Sequence, residues 1–528
     1  MSKYYRYLFL ALALVALLLG TLIYGLRYGR ISIKQFSTID RPANIRPDYT
    51  DVVMPANVVP LNFLVQEDGL AYCVKIYSKN GRPIEVFSRT AKIIIPQKPW
   101  HKLLNANRGQ QLYFDVFVKT DDNRWNRFSP ITNKIAGEDI DAFVVYRKMH
   151  PTHVQYYGKM GIYQRNLENF NESLVLDNGY LGIGGCLNCH TFCGNQPNRM
   201  LLGVRSPTYG VGTLFIEGDK VHKIGTKFGY TSWHPSEKLA AYSTIYLPMF
   251  FHSARDEVRD TVDLNSLLAY YLVGSKSLKV SPKLSQKDRL ETWPAWSADG
   301  RYLYFCRSPM LWSSQDKIPP ERYMEVKYDL VRISYDIASD QWGQLETVIS
   351  AHQTGKSIGA PRTSPDGKWL SFCMFDYGYF PTWQQSSDLY LVDLKAAQQT
   401  GRYEYRWLEL NSSQSESWHS WSSNSRWIIF SSKRDHGVFT RLYIAYIDQS
   451  GRAYKPFLMP QKDPSFYNSC LLTYNTAELI TGPVPFTGEK LAKVVRGSAK
   501  ISVDMPITMA TPKAEAVPAP DRWLGERE

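Results

Sequence analysis

The chain has 528 residues, with 62 Lys and Arg against 49 Asp and Glu, for a formal charge of +13. The basic residues are dispersed, with no run of five, so the basic stripe that marks nucleic-acid recognition is missing. With 44% hydrophobic and 21% charged residues, the chain has the apolar material for several cores, and its 14% aromatic content suits pleated strands.

The first predicted element is residues 7–26, YLFLALALVALLLGTLIYGL, which carry no charge. A helix of about 20 residues spans the hydrocarbon core of a bilayer. The run is longer than the about 7–15 apolar residues of a signal peptide, and no small-x-small cleavage site follows it. The first cysteine is Cys73, so there is no lipobox. The expectation is an uncleaved signal anchor over 1–30: single-pass in the inner membrane, with the bulk of the chain in the periplasm.

Residues 31–50 are polar with scattered Pro and read as a linker. Over 51–147 the short alternating runs LNFLV, YCVKIYS, AKIIIP, QLYFDVFVK and DAFVVYR, separated by turn signals such as Lys79-Asn80-Gly81, predict a small β-sandwich. Residues 148–200 are less regular and read as a connecting segment, with one short helix near its middle. Residues 501–528 combine Pro, Ala and charge and read as a disordered tail.

Between these lies a repeat. WHPSEKLAAYS from Trp233, WSADGRYLYFC from Trp296, TSPDGKWLSFC from Thr363 and WSSNSRWIIFS from Trp421 share one pattern. Each is a strand end, a tight polar turn and an alternating apolar strand. A further strand follows in DLYLVDL and RLYIAYID. The interval of roughly 60 residues exceeds the about 40–45 of a compact blade, which predicts inserted loops, one over 248–290 and one over 309–325. These words resemble the TolB-like, or PD40, repeat. The resemblance implies a β-propeller of four-stranded blades over about 201–500. Weaker copies at TLFIEGDKVHKI and at 467–484 bring the count to about six. The expected architecture is mainly β: an N-terminal transmembrane helix, a small β-sandwich and a TolB-like propeller.

One motif carries specific chemistry. Cys186-Leu-Asn-Cys189-His190 is C-x-x-C-H, the attachment signature of c-type haem. Two thiols three residues apart reach the vinyl groups of one porphyrin edge, and the adjacent imidazole supplies the proximal iron ligand. Haem c is attached outside the cytoplasm in bacteria, which agrees with an anchor. Other readings of the same residues are a Cys186–Cys189 disulfide, a zinc site of Cys186, Cys189, His190 and Cys193, and an iron–sulfur site, for which a fourth nearby Cys is lacking. The sequence lacks the helical surroundings of an ordinary cytochrome c domain. Met200 is the nearest downstream candidate for a distal ligand, with Met160, His222 and His234 as others.

Gly355-Lys-Ser357-Ile-Gly359 matches the G-x-S-x-G nucleophile elbow, but it falls where the repeat predicts an innermost blade strand rather than a strand-turn-helix. The equivalent inner-strand positions Tyr230, Glu291, Trp293, Arg362, Glu416, Trp418 and His419 form a candidate channel surface. Cys306 and Cys373 share one offset in two blades and read as small core residues. The leading expectation is one covalent haem c on a propeller scaffold, for electron transfer or redox sensing, with envelope or redox partner proteins docked on the propeller. The alternative is a haem-free TolB-like interaction module. No catalytic residue is assigned.

Overall fold

A computed structural model describes residues 12–15, 33–151, 159–182, 184–244, 246–252, 257–497 and 501, the side chains of Asn188 and Cys189 excepted. The chain is mainly β, and most of it forms six four-stranded antiparallel sheets. Their inner strands pack one against the next, and that of the sixth sheet packs against that of the first, so the ring closes into a six-bladed propeller.

Blade 1 joins the two ends of the propeller. Its three outer strands are Phe143–Met149, Met160–Asn166 and Glu172–Asp177, and its inner strand is Thr473–Ile480. The innermost strands of blades 2 to 6 are Cys186–Phe192, Thr231–Trp233, Arg289–Trp296, Ser357–Thr363 and Glu416–Trp421. The propeller thus begins at Phe143. The segment read as a connection over 148–200 holds most of blade 1 and the inner strand of blade 2. No contiguous repeat marks blade 1, because its fourth strand lies three hundred residues downstream.

The repeated turn has a physical basis. In blade 4, Ser297 Oγ donates to Asp299 at 2.6 Å and accepts from the Tyr302 amide at 3.0 Å. Gly300 supplies the positive φ of 73°. Ser364, Asp366 and Trp369 repeat these bonds in blade 5, and Ser422, Asn424 and Trp427 in blade 6. Apolar side chains of adjacent blades interleave, as Leu187, Met200 and Ile162 do between blades 1 and 2. Such interleaving supplies most of the favourable free energy of stacking.

The chain between the second and third strands is extended in four blades, over 245–266, 310–328, 376–387 and 433–440. The described residues of these insertions meet as a cap on one face. Tyr328 Oη, at the foot of one, donates to Asp263 at 2.8 Å, and Tyr377 Oη donates to Asp260 at 2.7 Å. Residues 37–135 form a separate unit of a seven-stranded sheet, a three-stranded sheet and the helix Gln97–Asn105. It docks on blades 1 and 6. Tyr49 Oη donates to the Leu458 carbonyl of blade 6 at 3.2 Å, the Val59 amide donates to the Leu167 carbonyl beside blade 1 at 2.8 Å, and the Trp427 indole donates to the carbonyl of Asp139, in the segment joining the unit to blade 1, at 3.1 Å.

The expected membrane anchor is not supported. Among the described residues no helix is long and apolar enough to cross a membrane. Apart from four helical residues at 12–15, the apolar stretch 7–26 lies outside the described residues. The sequence reading rested on hydropathy, length and the absence of a cleavage site or lipobox, with the orientation taken from the C-x-x-C-H motif. The single-pass inner-membrane placement drawn from it is therefore withdrawn. The tail at 502–528 also lies outside the described residues.

Candidate functional site in the propeller channel

Five of the six inner strands, all but that of blade 3, carry an irregularity at the same depth. In blade 4, Thr292 pairs with Cys306 and Ala295 with Tyr304, leaving Trp293 and Pro294 opposite the single residue Phe305. Blade 5 leaves Ala360 and Pro361, blade 6 leaves Trp418 and His419, and blade 1 leaves Thr476 and Ala477. Trp293, Ala360, Trp418 and Thr476 all have φ between 50° and 56°. These are β-bulges, which turn side chains out of the ladder. A bulge also frees a position from ladder bonding, which is why Pro294 and Pro361 are tolerated inside inner strands. In blade 2 the register steps between Asn188 and His190, so His190 joins the same ring.

Together the bulges enclose a cavity of about 40 Å³ lined by His190, Thr231, Trp293, Arg362, Trp418, His419, Thr476 and Glu478, among others. Aromatic rings stop the channel on the cap side. Tyr230 stacks on Trp293 at 3.6 Å between centroids, Trp418 meets Trp293 edge-on at 5.2 Å, and Phe380 of the blade 5 insertion lies 5.7 Å from Trp418.

Several polar groups of this ring are unpartnered. Both ring nitrogens of His190, Nε2 of His419, Nε1 of Trp418 and Oγ1 of Thr476 are buried without a hydrogen-bond partner among the described residues. Burial, reinforced by the Arg147 and Arg362 charges, pulls the His190 pKa down to about 3; the Val145 backbone opposes this without closing to a hydrogen bond of normal geometry. Burial and Arg362 likewise bring His419 to about 3, against the Ser371 backbone, which does not close to a hydrogen bond of normal geometry. Both imidazoles are therefore neutral near pH 7. Glu478 accepts from the Phe192 amide at 3.0 Å and meets Arg362 at 3.5 Å, and burial raises its pKa against the pull of Arg362.

The motif residues divide between different surroundings. His190 faces the channel, whereas Cys186 is buried in the apolar cluster between blades 1 and 2. Cys193 is buried in the cluster between blades 2 and 3. Cys186 is a free thiol in this structure. With Cys186 and Cys193 in different blade interfaces, the zinc and iron–sulfur arrangements have no common centre, and among the described residues no group of three or more metal-ligating side chains assembles. Met200 and Met160 lie in the cluster with Cys186, not in the channel wall beside His190. His222 lies on the outermost strand of blade 2, and His234 is held in its turn by Ser236 and the Gly300 carbonyl.

The fit to a haem is chemical but not spatial. His190 offers unpartnered, neutral nitrogens next to two thiol positions, the donor set of haem c. The space beside it, about 40 Å³, is far below the about 300–1,000 Å³ of pockets for drug-sized ligands, and a porphyrin is at least that large. The motif also lies on an extended strand with the Cys186 side chain 8% exposed. The described residues as folded do not cradle the macrocycle.

Of the expected channel residues, Tyr230, Trp293, Arg362, Trp418 and His419 line the cavity. Glu291 and Glu416 lie off it, fully buried and paired with Arg307 at 3.2 Å and Arg434 at 2.9 Å. Ser357 is buried, donates to the Gly378 carbonyl and accepts from the Tyr328 amide, with no hydrogen bond to a base among the described residues. Thr476 and Glu478 were not singled out in the sequence: 467–484 reads as a weak repeat copy, without the turn word that fixes the inner-strand offsets of blades 4 to 6.

No family model matches the chain, and no curated protein matches it. Among solved structures it is similar to a luciferin-regenerating enzyme, at 10% identity over 60% of this chain and 92% of that one, with a TM-score of 0.32. It is also similar to Kuenenia stuttgartiensis hydrazine synthase, at 11% identity over 57% and 76% with a TM-score of 0.31. Oligogalacturonate lyase from Vibrio parahaemolyticus is similar at 10% identity over 73% and 100%, with a TM-score of 0.32. Likeness at this level carries no argument about activity, and the propeller rests on the strand pairing itself.

Proposed function

We propose that this chain is a binding propeller without covalent haem, with its ligand site in the channel at His190, His419, Trp418 and Thr476. Its outer surface docks partner proteins, as the TolB-like repeat words imply. The observation that carries the reading is the set of idle polar atoms around one cavity. A buried polar group left unpaired costs about 1–3 kcal/mol. A fold that gathers several in one ring holds them for a partner, with water filling that role until a ligand of matching polarity displaces it.

A second reading, a haem c protein for electron transfer or redox sensing, is favoured by the C-x-x-C-H spacing and the free nitrogens of His190. Packing weighs against it, because Cys186 would have to leave the interface of blades 1 and 2.

The deciding experiment is expression with a c-type maturation system, followed by haem staining and a reduced pyridine haemochrome spectrum, beside Cys186→Ala/Cys189→Ala. The expected result is no thioether haem in either protein while a control cytochrome is matured. A stained band that disappears in the double variant replaces the first reading with the second.

A further inference from the structure

We infer that the channel site takes a small oxyanion or carboxylate, with Arg362 as its charged anchor. This rests on the binding-propeller reading above and names the ligand class of the same cavity.

The chemistry of the wall selects the class. The Trp418 indole donates and cannot accept. Each neutral imidazole of His190 and His419 has one N–H beside one acceptor nitrogen, and the Thr476 hydroxyl can donate or accept. All are at the cavity, and each has a buried polar atom without a partner among the described residues. His190 and His419 are 4% and 2% exposed, so their unused nitrogens do not serve bulk solvent.

Arg362 adds a guanidinium whose contact with Glu478, at 3.5 Å, is at the outer limit of a hydrogen bond. A planar anion can take up the fork bidentately, which a single long contact does not satisfy. The one carboxylate among the described residues of the wall, Glu478, already accepts from the Phe192 amide. A cation would meet a surplus of donors and a guanidinium.

Size narrows the class further. The water-accessible space is only about 40 Å³, so the ligand has to be small. A carboxylate or a comparably small oxyanion is of that size, and a sugar or nucleotide is not.

The test titrates the full-length protein with sodium formate, nitrite and bicarbonate at constant ionic strength, with sodium chloride as control. Intrinsic fluorescence is the readout, since Trp293 and Trp418 are in the cavity wall. The expected result is a saturable change with at least one of the three, absent with chloride. It should be weakened at least tenfold in Arg362→Met and partly restored in Arg362→Lys. Thr476→Val, a near-isosteric change, should weaken it as well, so the inference stays testable if Arg362→Met fails to fold. No saturable response to any probe overturns the inference, as does a response that Arg362→Met and Thr476→Val leave unchanged. Either failure in a protein free of thioether haem leaves the binding-propeller reading standing. Covalent haem in the same preparation overturns that reading and the inference together.

Discussion

Replacing His419 by Phe tests whether the channel imidazoles are held neutral by burial. His419 is 2% exposed, with Arg362 in the same cavity wall, and its pKa falls to about 3 from the ordinary 6.5. In the unfolded chain this histidine takes up a proton as pH drops through about 6.5, whereas in the folded chain it does not. The unfolded state therefore binds more protons between pH 6.5 and 3, so stability is lost as pH falls across that window. Each pH unit is worth about 1.4 kcal/mol per histidine, so from pH 6.5 to 4.5 His419 alone removes about 2–3 kcal/mol. Buried Asp263 and Glu291, with pKa values raised to about 6 and about 8, act with the opposite sign. They are common to wild type and variant and cancel in the difference. The assay is urea unfolding of wild type and His419→Phe at pH 4.5, 5.5 and 6.5, followed by fluorescence. The stability of wild type relative to the variant should fall by about 2–3 kcal/mol over that range. Parallel pH profiles would refute the reasoning, because His419 would then protonate in the folded protein as readily as in the unfolded one.

Two further outcomes follow from packing. Trp427 is 0% exposed, and its indole bonds the Asp139 carbonyl across the junction with the N-terminal unit. Trp427→Ala should cost about 3–5 kcal/mol in thermal or urea unfolding and speed proteolysis near residues 136–142. Gly300 and Gly367 occupy equivalent turns at φ 73° and 69°, but a Cβ at Gly300 would lie 2.4 Å from His234 Nε2, whereas at Gly367 it meets only Ala298 at 3.4 Å. Both Ala variants carry the about 1–2 kcal/mol of left-handed strain, and Gly300→Ala should add about 1–3 kcal/mol of overpacking, which parallel melts would resolve.

The blades legible in the sequence are those whose turns need particular side chains. Ser297 with Asp299, Ser364 with Asp366 and Ser422 with Asn424 are local solutions to one tight turn, so they recur as words. Blade 2 turns instead through Gly194 and Asn195, both at positive φ, and shows no such word. The site was half legible. Trp293, Arg362, Trp418 and His419 stand at fixed offsets from the repeated turns, whereas Thr476 and Glu478 have no turn of that kind before them. The prolines Pro294 and Pro361 were an unread signal, since a proline inside an inner strand implies a bulge. C-x-x-C-H was legible as spacing, but spacing does not report that Cys186 and His190 face a blade interface and the channel respectively.

The placement of Thr473–Ile480 in blade 1 also sets an order of events during synthesis. The strand Phe143–Met149 is made early, and its natural neighbour leaves the ribosome only after five further blades. Until then one edge of the nascent sheet presents unpaired amides and carbonyls, the kind of edge on which chains aggregate. Completion of the ring is necessarily a late, long-range step, and such steps are slow. A nascent chain stalled short of Thr473 would carry nearly all of its blades and still be unable to close.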